Sequence, residues 1–282
     1  YENNVNNNWY TNILATWCLK YTAQVIEIVR SNEPKKLNLL LDKLNFKAHE
    51  LIDWAAIVDQ MYYPTDEEKG IFLQQDGYLD KEQMLVKDLS PSERPINQKW
   101  SWDRILRSCF IKQADVLQGL YFFEEDYDLA TLKRNFDFYE PRTVHESSLS
   151  PCVHAILAAK LGDEKRAYEF YLRTSRLDLD DYNNDTEDGC HTTSMAGTWL
   201  AVIEGFAGMR VKNDKLEFNP FLPAKWKSFS FTIGFRDAVL KIKITEAGMT
   251  INNNTSIDLE ICVANQNFKI TGNEEIEIKN TE

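Results

Sequence analysis

The chain has 282 residues, 43% of them hydrophobic, which is ample for a core that folds without disulfide or metal staples. Its 44 acidic side chains against 32 basic ones leave a formal net charge of −12, which argues against a nucleic-acid ligand and against an anionic membrane surface. No apolar run approaches the roughly 20 residues of a spanning helix, and aromatic residues spread along the whole chain argue against disorder.

From Thr11 to Val29, the apolar residues Ile13, Leu14, Trp17, Tyr21, Val25, Ile28 and Val29 fall at three- and four-residue steps and predict an amphipathic helix. Asn32, Glu33 and Pro34 stop it. Helical patterns follow over Leu37 to Leu44 and Ala48 to Met61. Tyr63 to Pro95, with its Pro, Gly and acid clusters, reads as a long irregular connection, and connections of that length usually serve function. Helical periodicity returns at Leu106 to Phe122, Leu129 to Phe138, Leu149 to Leu161, Glu164 to Leu177 and Met195 to Gly208. Gly162-Asp163 marks a tight helical hairpin.

Beyond Met209 the pattern changes to short alternating or β-branched runs. These are residues 216–218, 229–235, 239–245, 249–252, 257–263 and 276–278, separated by Gly, Asn and Asp. Asn219-Pro220-Phe221-Leu222-Pro223 is a stiff connector near their start. The expected fold is mainly α. A helical part over residues 1–211, built of helix pairs as in an α/α toroid or solenoid, precedes a small antiparallel β-sheet domain over residues 212–282.

The cysteines Cys18, Cys109, Cys152, Cys190 and Cys262 are odd in number and dispersed, mostly in apolar helical settings. They fit reduced, buried thiols of a cytoplasmic protein better than a disulfide framework or a zinc site. His49 and His154 lie on amphipathic helices and are expected at the edge of the core. The chain opens at Tyr1, without Met or a leader pattern, and its first residues look like the middle of a longer polypeptide.

Polar chemistry concentrates in three places. Thr143-Val144-His145-Glu146-Ser147-Ser148 precedes the helix expected from Leu149, and Gly189-Cys190-His191-Thr192-Thr193-Ser194 precedes the one expected from Met195. A helix N-terminus offers N–H groups and partial positive charge to an anion, and two such ends with hydroxyls and a His are able to converge on one phosphate. The competing explanation is capping by Ser and Thr, with no ligand. The third place is Lys112-Gln113-Ala114-Asp115, expected inside a helix from Phe110 to Leu120. Its Lys and Gln suit sugar hydroxyls, or else form a solvated face. Asp178, Asp180 and Asp181 lack the Gly and terminal Glu of a calcium loop, which favours capping or turn roles. There is no P-loop, no dinucleotide fingerprint, no nucleophile elbow and no HExxH motif, which leaves carbohydrate or phosphate chemistry open.

The runs YENNVNNNWYTN, IKQADVLQGLY, FYEPRTVHESSLSP, RTSRLDLDDYNNDTEDGCHTTSMAGTW and FNPFLPAKWKSFSFTIGFR resemble the inverting disaccharide phosphorylases, the family of the maltose, trehalose, kojibiose and nigerose phosphorylases. The resemblance extends over nearly the whole chain in order. It implies the C-terminal part of a catalytic (α/α)6 barrel followed by a small C-terminal β-sheet domain. Cleavage of maltose by phosphate to β-glucose 1-phosphate and glucose is the implied reaction, with the other three disaccharides as alternative donors. The implied partners are the disaccharide and inorganic phosphate, with no metal or organic cofactor, and homodimers are usual in the family.

The family's proton-donating Glu directly precedes a Tyr, so by resemblance the acid is the residue before Tyr1. No catalytic residue is then assigned within the chain, Glu2 included, and residues 1–282 alone are expected to be inactive. Lys112 and Gln113 match the family's substrate-binding pair, and Glu146 matches a position in the active-site wall. Ser147, Ser148, His191, Thr193 and Ser194 match its phosphate-holding segments. A non-catalytic carbohydrate-binding or scaffolding module is the alternative of a different class.

Overall fold

A computed structural model describes residues 1–279. It separates into two compact units, one of Tyr1–Ile111 with Asp115–Val144, the other of Lys112–Ala114 with the chain from His145 onward.

In the first unit α1 (Trp9–Asn32) starts where the Asn8 side chain accepts the Thr11 N–H at 2.8 Å. It is followed by α2 (Pro34–Leu44), with Pro at its first position, and α3 (His49–Gln60). Trp9 is fully buried and stacks on Phe72 with ring centroids 4.6 Å apart. The rest of the apolar stripe of α1 is not uniformly covered, because Trp17, Tyr21 and Ile28 are exposed. His49 is also on the surface, its side chain 70% exposed, which corrects its expected place at the core edge.

The irregular connection holds only the two-residue strands β1 (Thr65–Asp66) and β2 (Ile71–Phe72) and short 3-10 turns before α4 (Ile96–Lys99). The single helix expected from Leu106 to Phe122 is two, α5 (Trp102–Arg107) and α6 (Val116–Phe122). Between them, Ser108 and Ile111 make isolated parallel bridges to Glu82 and Thr143. The apolar run Cys109-Phe110-Ile111 is therefore a buried extended segment, a case in which apolar content alone does not separate strand from helix. The unit closes with α7 (Leu129–Tyr139), capped by Asp128.

In the second unit α8 (Ser150–Lys160) and α9 (Glu164–Ser175) form the expected hairpin, its turn at Gly162 with φ +75°. The short α10 (Leu177–Asp180) leads through a loop to α11 (Thr192–Leu200), which continues as a π-helical stretch, Ala201–Phe206. Gly197 of α11 lies against α8 so closely that a Cβ there would stand 2.8 Å from Cys152 Cβ.

Two four-stranded sheets then face each other. One has the order β10-β7-β6-β5, from β5 (Ser228–Phe235), β6 (Ala238–Thr245), β7 (Gly248–Asn253) and β10 (Glu275–Lys279). The other has the order β3-β4-β8-β9, from β3 (Arg210–Lys212), β4 (Lys215–Phe218), β8 (Leu259–Val263) and β9 (Gln266–Ile270). All pairs are antiparallel except β4 with β8, which is parallel. Three hairpins turn on two residues of positive φ, Asn213-Asp214, Arg236-Asp237 and Ala264-Asn265, the conformation whose twist matches the strands. The inward residues of β6 (Leu240, Ile242, Ile244) meet Leu216, Phe218, Ile261 and Val263 of the other sheet in one core. An aromatic cluster of Tyr168, Tyr171, Phe206, Phe221 and Trp226 ties these sheets to α9 and the π-helical stretch.

Candidate functional site

His145–Ser148 of the first junction and the whole of the second lie in the second unit, and a side-chain hydrogen bond joins them. Ser148 Oγ is 2.7 Å from Thr193 Oγ1, which links the entrance of α8 to the first turn of α11. Ser147 Oγ donates to Gln113 Oε1 at 2.7 Å and accepts the Leu149 N–H at 3.3 Å. The segment Lys112–Ala114 is thereby fastened to the α8 junction. It is not the helix interior expected from sequence, since α6 begins only at Val116.

Both helices start differently from the sequence expectation. α8 begins at Ser150, and α11 begins at Thr192, three residues before Met195. Thr193 and Ser194 thus lie inside the first turn of α11. Neither helix has a side-chain hydrogen bond from its N-cap residue, so conventional Ser or Thr capping does not account for these hydroxyls.

The segment carrying Glu146, Ser147 and Ser148 is anchored from below. His145 adopts φ +56°, a left-handed conformation uncommon outside glycine, and is buried. Its Nδ1 is 2.8 Å from Ser150 Oγ, and Arg173 donates to its carbonyl at 3.2 Å. Its ring meets His154 edge to face at 4.5 Å, and both rings contact Phe170. His154 is fully buried, deeper than the core edge expected for it. It donates from Nδ1 to the Ser150 carbonyl at 2.9 Å, and burial lowers its pKa to about 4, so the ring is neutral at pH 7. Glu146, next in the chain, is only 6% exposed.

The second junction is built on acids. Asp178 accepts the His191 backbone N–H at 2.9 Å and its Nδ1–H at 2.6 Å, and Asp185 Oδ2 stands 3.4 Å from His191 Nε2. The Asp178 hydrogen bond, reinforced by Asp185, raises the imidazole pKa above its ordinary value and favours the cation. In return, the His191 backbone N–H holds the Asp178 carboxyl below the usual range. Asp180 pairs with Arg176, and Asp181 accepts the N–H groups of Asp185 and Thr186. Asp178, Asp180 and Asp181 therefore do not assemble a cation site, and no metal-holding cluster occurs among the described residues.

Ser194 differs from its neighbours. Its hydroxyl is buried and donates to the Thr174 carbonyl at 2.7 Å, so it braces α11 against α9. Thr193 is exposed, and Ser147, Ser148, His191, Lys112 and Gln113 are half-buried. In the first unit, Glu2 Oε1 is held by Lys81 at 2.6 Å and by Gln75 at 3.0 Å. Asp115, which sequence grouped with Lys112 and Gln113, belongs to that unit. There it accepts from Gln74 at 2.7 Å and from Asn8, and burial raises its pKa.

Sequence reasoning missed Asp178 and Asp185 as partners of His191, and Arg173 as the brace of His145. The available signal was the acid-rich loop directly before the Gly-Cys-His run. The cysteines are all free; Cys109 and Cys152 are buried as expected, Cys262 is half-buried, and Cys18 and Cys190 are exposed, which corrects the expectation of burial for those two. Among the described residues no helix is long and apolar enough to cross a membrane.

Residues 1–200 match the model of the glycosyl hydrolase family 65 central catalytic domain, and residues 209–270 match that family's C-terminal domain. The chain is 54% identical to maltose phosphorylase of Bacillus subtilis (strain 168) over 87% of its own length and 32% of that protein's. It is 39% identical to alpha,alpha-trehalose phosphorylase of Thermoanaerobacter brockii over 86% of its length and 31% of that protein's. A solved structure from the human microbiome, assigned by name as a kojibiose phosphorylase, superposes with TM-score 0.89 at 36% identity. That match covers 98% of this chain and 38% of the other. The chain thus spans about a third of the length of these relatives. The order of helices first and a small sheet domain after is the fold expected from the sequence, and with both models matched in that order, the chain belongs to glycosyl hydrolase family 65.

Proposed function

We propose that this chain is part of an inverting disaccharide phosphorylase that cleaves maltose with inorganic phosphate, giving β-glucose 1-phosphate and glucose. In this proposal residues 1–211 are the C-terminal part of the catalytic barrel and residues 212–282 the sheet domain. The observation that carries it is the Ser148–Thr193 hydrogen bond, which brings the N-terminal ends of α8 and α11 together beside a His whose environment favours the cation. Two helix dipoles, two hydroxyls and an imidazolium form a local anion site in a protein of net charge −12. The 54% identity to a maltose phosphorylase supports the choice of disaccharide.

The chemistry follows from the nucleophile. In an inverting hydrolase a carboxylate must deprotonate water on the face opposite the leaving group. Phosphate is already an anion and needs only to be held in line with the anomeric carbon. Positioning of that kind is able to supply on the order of 7–11 kcal/mol of the barrier. The new C1–O bond to phosphate forms as the C1–O bond to the leaving glucose breaks, and a carboxylic acid delivers its proton to that oxygen. By resemblance the acid precedes Tyr1. Ser147, Ser148, Thr193 and His191 hold phosphate, Lys112 and Gln113 bind sugar hydroxyls, and Glu146 lines the wall. Ser194 supports the phosphate site through its bond to Thr174.

A cytoplasmic homodimer that uses no metal or organic cofactor is the form proposed for the whole enzyme. The free thiols fit a reducing compartment. Trehalose, kojibiose or nigerose is the alternative donor, supported by the 39% identity to a trehalose phosphorylase. The test is the enzyme carrying this chain with Ser148→Ala and His191→Ala. Each is expected to raise the KM for phosphate in maltose cleavage, and unchanged phosphate dependence contradicts the proposal. Residues 1–282 alone are expected to show no turnover, and measurable phosphorolysis by them contradicts the placement of the acid.

A further inference from the structure

His191 is gripped at both ring nitrogens by carboxylates whose positions are not equivalent. Asp178, on α10, is tied twice to the same residue, at the backbone N–H and at Nδ1. That pair of hydrogen bonds fixes both where the imidazole sits and which way Nε2 points. Asp185 belongs to the loop between α10 and α11. It approaches only Nε2, at a looser 3.4 Å, and is 31% exposed. The loop is itself an ordered device. Asp181 Oδ1 receives the N–H groups of Asp185 and Thr186 at 3.0 and 3.1 Å, and Asn183 of the same loop is buried. Nε2 is the donor that His191 would offer to a bound phosphate, and a carboxylate is the side chain that best imitates a phosphate oxygen.

Building on the phosphate-site proposal above, we propose that the two aspartates act on His191 in opposite senses. Asp178 is a positioning residue that aims Nε2 at the anion, and Asp185 is an internal competitor that occupies Nε2 until phosphate displaces it. The carboxylate of the 181–190 loop thus sets the threshold for phosphate. Arrival of the anion exchanges one ion pair at Nε2 for another, and the Asp185 side chain turns out to solvent.

The test uses the enzyme carrying this chain, with inorganic phosphate as the varied substrate and maltose as the fixed one. Asp185→Asn, which removes the competing charge but keeps the shape, is expected to lower the KM for phosphate roughly two- to fivefold, the range for a partly exposed ion pair. Asp178→Asn is expected to raise it roughly tenfold, as loss of a charge-assisted bond does. The KM for maltose at saturating phosphate stays put in both. A purely structural role for the acids would move both variants the same way, and that result overturns the proposal, as does a rise in phosphate KM for Asp185→Asn. His191→Ala separates the two levels. If it leaves the phosphate KM unmoved, the phosphate site itself is misassigned. If His191→Ala raises the KM while the aspartate variants shift together, only the opposed roles fail.

Discussion

The junction before α8 and the junction before α11 carry the same pattern in sequence, a His followed by hydroxyls at a helix entrance, yet they are built on opposite physics. Beneath the first, His145 and His154 are buried against Phe170, and His154 is neutral because burial excludes its charge. At the second, His191 sits between Asp178 and Asp185, which favour its charge. The first device is buried and packed on an aromatic ring, and it braces the backbone that carries Glu146, Ser147 and Ser148. The second is partly exposed and ionic and favours the charged imidazole. One histidine pattern thus gives a buried brace in one place and a charge-favouring ionic contact in the other, and what decides is the neighbourhood, aromatic or acidic.

The sharpest way to break this contrast is acid. With His154 near 4 when folded and near 6.5 when unfolded, the unfolded state binds the extra proton first as pH falls. Stability is therefore full above about pH 6.5, falls as pH drops toward 4, and levels off below. The loss amounts to about 3 kcal/mol from this one group. Urea unfolding of wild type and His154→Gln across that window is expected to show a shallower slope in the variant, and equal slopes would mean that His154 is not held neutral.

Next in size is the contact that keeps the two junctions side by side. A Cβ at Gly197 would stand 2.8 Å from Cys152 Cβ, so Gly197→Ala forces α8 and α11 apart. The expected cost is about 2 kcal/mol in equilibrium unfolding, within the range for overpacked sites. A stabilising or neutral substitution would show that the helices have slack.

Ser147→Ala removes the donor to Gln113 Oε1 and is expected to cost about 1 kcal/mol, read in the same unfolding assay. It should also loosen Lys112–Ala114, visible as faster amide exchange there. Unchanged exchange would detach that segment from the site.

The smallest effect has the opposite sign to the first. His191 has a raised pKa through its Asp178 bond, so its contribution to stability is present below about pH 6.5 and disappears as pH climbs through the raised value. Asp178→Asn is expected to shift the His191 ring titration, followed by NMR, to lower pH. A shift upward, or none, would remove the ionic character of the second junction.

Much of the fold was readable from periodicity. The helices α1, α2, α3, α7, α8 and α9 and six of the eight strands among the described residues beyond 209 fall where the apolar patterns place them. The exceptions have physical causes. Cys109-Phe110-Ile111 is apolar enough for a helix but is pulled straight by bridges to Glu82 and Thr143, partners far away in sequence. β3 is only three residues long with its one apolar residue, Val211, exposed, and β9 opens on two exposed polar residues, so neither gives a clear alternating apolar run. Periodicity identified the apolar face of α1 but not whether anything covers it, as exposed Trp17 and Tyr21 show.

At the site, residue types were legible, and the helix entrances to within about three residues, because the change from polar loop to apolar helix pattern is local. The opposed surroundings of His154 and His191 were not, since Phe170, Asp178 and Asp185 reach them only through tertiary packing. His49 illustrates the same limit. Its helical setting resembles that of His154, yet it lies on the surface.

The most direct measurement is the product balance of maltose cleavage by the enzyme carrying this chain, with and without inorganic phosphate, for wild type and His191→Ala. β-Glucose 1-phosphate and glucose in equal amounts, formed only with phosphate and at a higher phosphate KM in the variant, is the expected result. Maltose cleaved to two glucoses equally well without phosphate would contradict it.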